Sequence, residues 1–307
     1  MAHCLIVGPR ADPHVARVSE EVGAIRGRVS IWDTESFPES ETASLVDGRL
    51  VLAGKPIPAS MTSVYLRATG PSPFSPRYEA DLQSRPRGLF AQWEERLAFI
   101  ASALLSMESQ GVPVVNSPEV NSQHSRKPFQ LELLRRAGLP VPRSLASNDP
   151  KAVKAFVKGV RDAVFKPLAG GATVRRVQKE DLSRERLAGL SLAPVLFQEL
   201  LEGISVRVYV VGKRVVAAAE IHSTELDYRR DEGDVASTRL TIEERRAAVS
   251  AAAACDMRFS GVDLIRGSKG FHVLECNPSP MFAVFEEKTG LDVAGPLAKY
   301  LLNPGLR

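Results

Sequence analysis

Residues 261–281 read GVDLIRGSKGFHVLECNPSPM, and this stretch decides the fold. Asp263 sits inside one apolar run. After a short turn, Arg266 to Gly270, a second run (FHVLECNP) carries Glu275 and Asn277. Two adjacent strands bring Asp263 beside Glu275. Glu275 and Asn277 are two apart, so on a strand they share a face. Two carboxylates and an amide oxygen make an all-oxygen site. Without His or Cys, such a site favours magnesium, which also binds substrate phosphates. Acids placed among apolar residues need a reason to be there, because burying a charge is costly.

Outward from this stretch, the composition is that of a globular protein. The chain has 307 residues, 44% apolar and 25% charged, enough for two or three small domains. No apolar run reaches the ~18 residues of a membrane span. The start, MAHCLIVGPR, reads as a first strand and not as a signal peptide, which leads us to expect a cytoplasmic protein. Cys4, Cys255 and Cys276 lie in apolar surroundings without metal spacing and read as reduced core residues. A net charge of +4 suits nucleotides or an acidic peptide. No basic run interleaved with aromatics argues for nucleic acid.

The N-terminal part reads as a small parallel α/β unit. His3–Gly8, Arg28–Asp33 and Ser63–Arg67 are predicted strands, with a helix from Pro13 to Ile25. Leu45–Pro56 reads as a hairpin turning at Asp47-Gly48. The proline-rich stretch from Thr69 to Pro86 reads as an exposed loop, and Pro113–Asn121 as a connector. Leu89, Trp93, Leu97, Ile100 and Leu104 recur at helical spacing and predict a core-packed helix over Gly88–Gln110.

Further on, Lys127 lies near the start of a helix closed by Gly138. Asn148 or Asp149 caps the next helix, which opens on Pro150. The strand AVFK then carries Lys166 and breaks into Gly170-Gly171, which lets backbone approach phosphate oxygens. PVLFQELL (Pro194–Leu201) is a strand ending in an amide and acids. SVRVYVV and RVVAAAEI flank Gly212-Lys213 as a tight hairpin, with Arg207 and Tyr209 on one face and Glu220 near the end. Residues 226–237 read as a loop, Ile242–Met257 as an alanine-rich helix, and Gly290–Leu302 as a last helix on the sheet.

The order of these features carries more than any one of them. A helix lysine (Lys127), a strand lysine before Gly-Gly (Lys166), QELLEG (Gln198–Gly203), Arg207, Asp263 and Glu275-x-Asn277 follow one another. This order resembles an ATP-grasp ligase over essentially the whole chain. The resemblance implies an α+β, α/β architecture in which two α+β lobes sandwich ATP behind a small N-terminal α/β domain. The expected bounds are 1–115 for that domain, 116–192 for the central lobe and 193–307 for the C-terminal lobe with the metal site.

It further implies ATP and Mg2+ as cofactors. Lys127 and Lys166 are expected along the phosphates, and Gln198, Glu199, Leu200, Leu201 and Glu202 around adenine and ribose. Asp263, Glu275 and Asn277 are expected to hold the metal. Arg207 and Arg229 are the expected catalytic cations, Arg207 at the tetrahedral oxyanion. Arg207 also has a plain structural reading, as an ion pair with Glu220 or Glu275.

Two subfamilies compete. SVRVYVVG resembles RimK-like amino-acid ligases, with Ser205 where their motif carries Asp. WDTESFP, SVYLR, KPFQLELLRRAGLPVPRSLASNDP, FKPLAGG, and AEI followed by DYR resemble the graspetide (microviridin-type) macrocyclases. That second resemblance implies a precursor peptide partner, with a leader helix and an acidic core, and a homodimer. It places Arg67, Glu220, Asp227, Tyr228 and Arg230 at the substrate. Arginine suits this role because it grips carboxylates with a two-pronged fork. The alternatives left open are a RimK-like ligase that adds an amino acid, and a non-catalytic nucleotide-binding regulator.

Overall fold

The computed structural model describes residues 1–58, 60–169, 173–223 and 234–305. The chain forms two compact units. One comprises Met1–Asn121, Met281–Ala283 and Asp292–Arg307; the other comprises Ser122–Pro280 and Val284–Leu291.

The first unit opens with β1 (His3–Gly8), α1 (Pro13–Ala24) and β2 (Arg28–Asp33). Next come β3 (Ala43–Val46), β4 (Arg49–Leu52), β5 (Lys55–Pro56) and β6 (Met61–Leu66). After a single 3-10 turn at Pro76–Tyr78 follow α2 (Glu79–Ser84), α3 (Pro86–Ser109), β7 (Val114–Val115) and α4 (Pro118–Ser122). Strands β2-β1-β6-β7 make a parallel sheet. The run HCLIVG is buried along nearly its whole length, as a strand covered on both faces must be. Asp12 starts α1 by accepting the His14 amide at 2.7 Å, and Pro13 takes the first helical position.

The hairpin expected at Leu45–Pro56 is a three-stranded meander, β3-β4-β5. Asp47 and Gly48 take positive φ (48° and 76°), and so do Ala53 and Gly54 (46° and 72°). The second pair makes a turn that reverses the chain again, which an Ala-Gly pair signals less clearly than Asp-Gly. The loop expected at Thr69–Pro86 contains the 3-10 turn and α2, because Pro76 opens a turn and does not interrupt one. The connector at Pro113–Asn121 contains β7 and most of α4.

The second unit holds two antiparallel sheets. α5 (Lys127–Arg136), β8 (Ser144–Ser147), α6 (Pro150–Lys158), β9 (Ala163–Lys166), β10 (Arg175–Arg176), α7 (Arg184–Ala188) and β11 (Val195–Glu199) build the first, in the order β10-β9-β11-β8. β12 (Ile204–Val211), β13 (Arg214–His222), β14 (Asp234–Ser237), α8 (Ile242–Ala254), β15 (Phe259–Gly267) and β16 (Gly270–Asn277) build the second, ordered β14-β13-β12-β15-β16. α9 (Ala283–Thr289) and α10 (Ala294–Leu302) follow. α10 packs on α1 and β6 within the first unit.

In the second sheet, Val206, Val208, Val262, Leu264, Val273 and Cys276 are all at most 2% exposed. α8 packs against β15 and β16. Its alanines allow close approach, and a Thr241–Glu244 capping box fixes its start. Each such aliphatic side chain contributes ~1.5–3 kcal/mol on burial. The alternate positions of β12 and β15 carry Ser205, Arg207, Asp263 and Ile265.

Candidate active site

Strand pairing brings the acidic residues together. Asp263 on β15 is directly opposite Glu275 on β16, and Gly261 is opposite Asn277. On its other side Asp263 faces Arg207 of β12. Between Asp263 and Leu264 the register shifts, so β16 holds one extra residue, Leu274. A bulge re-aims side chains. Val273 and Cys276 are therefore both buried, three apart, while Leu274 joins the wall of a cleft.

Two ammonium groups reach Glu275. Lys127 Nζ donates to Oε2 at 2.5 Å, and Lys166 Nζ lies 3.7 Å from the same oxygen. Lys127 stands at the first residue of α5, and Lys166 at the end of β9. The Arg207 fork grips Asp263, its Nε on Oδ1 and one Nη on Oδ2 at 3.0 Å. The structural reading of Arg207 expects Glu220 or Glu275; its partner is Asp263, because β12 pairs β15 and not β16.

Burial pushes the Asp263 carboxyl above its ordinary value, against the pull of Arg207. Burial acts on Glu275 in the same sense, but Lys166 and Lys127 outweigh it and bring that carboxyl down to about 2. Two neighbouring carboxylates are thus pushed in opposite directions.

Sequence reasoning missed Gln130, one turn along α5 from Lys127. Its side-chain amide donates to the Cys276 carbonyl and accepts from the Cys276 N–H, each at 2.8 Å. Gln130 therefore completes the open edge of β16 between Glu275 and Asn277. Its spacing of three from Lys127 puts both on one helix face, which is the signal that could have found it. Asn277 itself accepts from the Ser279 amide at 3.0 Å.

The cleft beside this cluster has a volume of about 650 Å3. Lys166 and Gln198–Glu202 line one wall; Ser205, Ile221, Ile265 and Leu274 line another. Gln198 is only 4% exposed, and its amide nitrogen has no hydrogen-bond partner. A buried donor left open beside a cleft fits a ligand that presents an acceptor there. Glu199 accepts the Arg143 amide at 2.8 Å, while Glu202 is exposed at the rim.

Arg67 and Glu220 are engaged by other partners. Arg67 is tied to Asp12 at 3.0 Å and approaches His14 Nδ1 at 3.3 Å. Glu220 is held by Arg266, Thr238 and His222. Asp227, Tyr228, Arg229 and Arg230 fall outside the described residues, as do Gly170 and Gly171.

The residues present fit magnesium as a shared ligand and not as a caged one. Among the described residues no group of three His, Cys, Asp or Glu could hold a metal by itself. Asp263, Glu275 and Asn277 supply hard oxygens, which leaves the rest of a shell to phosphate and water. The two carboxylates face three cations, Lys127, Lys166 and Arg207.

Two antiparallel sheets around a cleft, with a carboxylate pair and two lysines drawn to Glu275, are the make-up of an ATP-dependent ligase of the ATP-grasp class. The chain belongs to the RimK-like ATP-grasp family, whose domain model matches residues 125–301. ATP-grasp ligases use ATP and Mg2+. A probable alpha-L-glutamate ligase from Teredinibacter turnerae is 34% identical over 213 residues, 65% of this chain and 70% of the relative. Among solved structures, the ATP-grasp ligase PsnB, complexed with a phosphomimetic variant of minimal precursor, Mg and ADP, is 39% identical. The match covers 97% of each chain with a TM-score of 0.88. The macrocyclase MdnC from Microcystis aeruginosa, bound with precursor peptide MdnA, shares the fold at 20% identity. Its TM-score is 0.83 over 99% of this chain and 100% of the other. No described helix is long and apolar enough to cross a membrane.

Proposed function

We propose that this enzyme is a graspetide-type peptide macrocyclase. It activates Asp or Glu side chains of a ribosomally made precursor and joins them, within the same peptide, to Ser or Thr hydroxyls or Lys amines. The observation that carries this reading is the 39% identity, over 97% of the chain, to a ligase complexed with minimal precursor, Mg and ADP.

A peptide carboxylate oxygen attacks the γ-phosphorus, and the bond to the β-phosphate oxygen breaks. The products of this half-reaction are an acyl phosphate and ADP. The hydroxyl or amine then attacks the acyl carbon and loses its proton, and phosphate departs. Lys127 and Lys166 lie along the transferring phosphoryl group and offset its charge. Asp263, Glu275 and Asn277 would hold magnesium, which when bound would offset charge on the phosphates. Asp263 fixes the Arg207 guanidinium, which would offset the oxyanion of the second step. Gln198 donates to the nucleotide base. Arg67 and the 227–230 segment meet the acidic peptide.

Mass spectrometry of precursor co-expressed with the enzyme tests the reading. One water is lost for each bond formed. Unchanged mass with every acidic precursor supplied would overturn it. The second reading, a ligase that adds an amino acid to a peptide, protein or small carboxylic acid, is favoured by the glutamate-ligase relatives. That activity adds mass where macrocyclisation removes it.

A further inference from the structure

The first unit contains a cleft of about 720 Å3 along α3, lined by Phe37, Tyr78, Leu89, Trp93, Arg96 and Phe99 among others. It shares no residue with the nucleotide cleft. Its wall is aromatic: Phe37 and Phe99 stack with centroids 5.6 Å apart, and Trp93 is half-buried. Set into this wall is Arg96, only 7% exposed. One of its terminal nitrogens donates to the Pro71 carbonyl. Its Nε is buried without an acceptor. No ion pair joins Arg96 to any carboxylate among the described residues.

The acids nearby are engaged or outward. Glu39 accepts from Arg77 at 2.9 Å, Asp81 accepts from Arg85 at 2.8 Å, and Glu95 is exposed. A guanidinium cannot shed its proton to escape burial as a lysine can. A buried charge without its counterpart is costly, and a carboxylate that meets both prongs of the fork relieves that cost. The volume is that of a small-molecule site, and the lining combines apolar walls with one charged anchor.

We infer that this cleft is a second ligand site. It takes a carboxylate borne on an aromatic or branched apolar body, with Arg96 as the anchor and Trp93 and Phe99 against the body. Two sources share that chemistry: a free carboxylic acid, and the carboxyl end of a peptide.

The test uses the full chain, calorimetry and tryptophan fluorescence. The probes are phenylacetate, its neutral amide, and the tripeptide Gly-Gly-Phe with a free or amidated end. Phenylacetate or the free-ended peptide binds saturably, and the matching amide binds at least about tenfold more weakly. Which of the two acids binds identifies the source. Saturating ADP and Mg leave binding unchanged. R96Q weakens the acid at least about tenfold and leaves the amide as it was. The acid-to-amide ratio on the unaltered protein carries the test even where R96Q fails to fold. Absence of saturable binding by either acid, equal binding of acid and amide, or displacement by ADP overturns the inference.

Discussion

Two lysines from different elements reach one oxygen of Glu275, at 2.5 and 3.7 Å. Replacing Glu275 by Gln removes the charge of the oxygen proposed to hold the metal and the anion that both ammoniums share. We expect kcat to fall by at least about 100-fold. The fold is retained with a loss of up to about 3 kcal/mol, since one partner of a buried ion pair is gone. Acceptor-dependent ADP release and a thermal melt measure the two effects separately. Gln198 gives the opposite sign in stability. Its open donor makes no bond within the protein, so Gln198→Leu melts at or above the parent temperature. KM for ATP rises about tenfold with kcat nearly unchanged, as removal of uniform binding requires. A lower melting temperature with unchanged KM would remove Gln198 from the nucleotide cleft. At this scale the sequence was informative about Asp263 and Glu275, because both lie in one hairpin with a short turn. It could not reveal the Arg207–Asp263 fork, which depends on the pairing of strands remote in sequence. It also hid Arg96, whose neighbours on the helix stripe look like ordinary core residues.

At the scale of the element, the turn between β11 and β12 is held open by Gly203. Its φ is +156°, and a Cβ there would stand 2.4 Å from the Arg266 carbonyl oxygen. Gly203→Ala should destabilise by roughly 2–3 kcal/mol, combining a strained backbone with a backbone clash. Denaturant unfolding measures it, and a change within about 0.5 kcal/mol would show that the turn relaxes at little cost. The Leu274 bulge was invisible in the sequence for a related reason. Strict alternation along FHVLECN puts Val273 and Glu275 on one face, yet Val273 is fully buried and Glu275 is not, its side chain 25% exposed. A bulge breaks the period of two, and nothing in the residue types marks it. The helix starts were legible because their caps are chemical: Asp149 accepts the Lys151 amide at 2.8 Å, just ahead of Pro150. The short α2 was not, since the prolines before it signal a loop as readily as a first turn.

For the whole molecule, acid is the sensitive direction. Asp12 is held at about 2: burial raises its carboxyl, but the His14 bonds and Arg67 outweigh it. Glu244 is likewise held below its ordinary value, because Arg266 and the Thr241 cap outweigh burial. Carboxyls lowered on folding stabilise above their unfolded values, and that contribution is lost as pH falls through the folded ones. The melting temperature should therefore drop between about pH 5 and about pH 2. Asp12→Asn should lose about 1 kcal/mol at neutral pH and nothing near the acid end. Equal losses at both ends would show that Asp12 acts through packing and not through charge.

The proposed function requires phosphoryl transfer to a peptide side-chain carboxylate at the Glu275 cluster. The most direct measurement uses an acidic precursor whose side-chain carboxylates carry heavy oxygen, with analysis of the phosphate released alongside ADP. Transfer of one heavy oxygen to phosphate for each bond closed is the predicted result, absent with E275Q. Phosphate free of heavy oxygen, formed together with closed peptide, would contradict it.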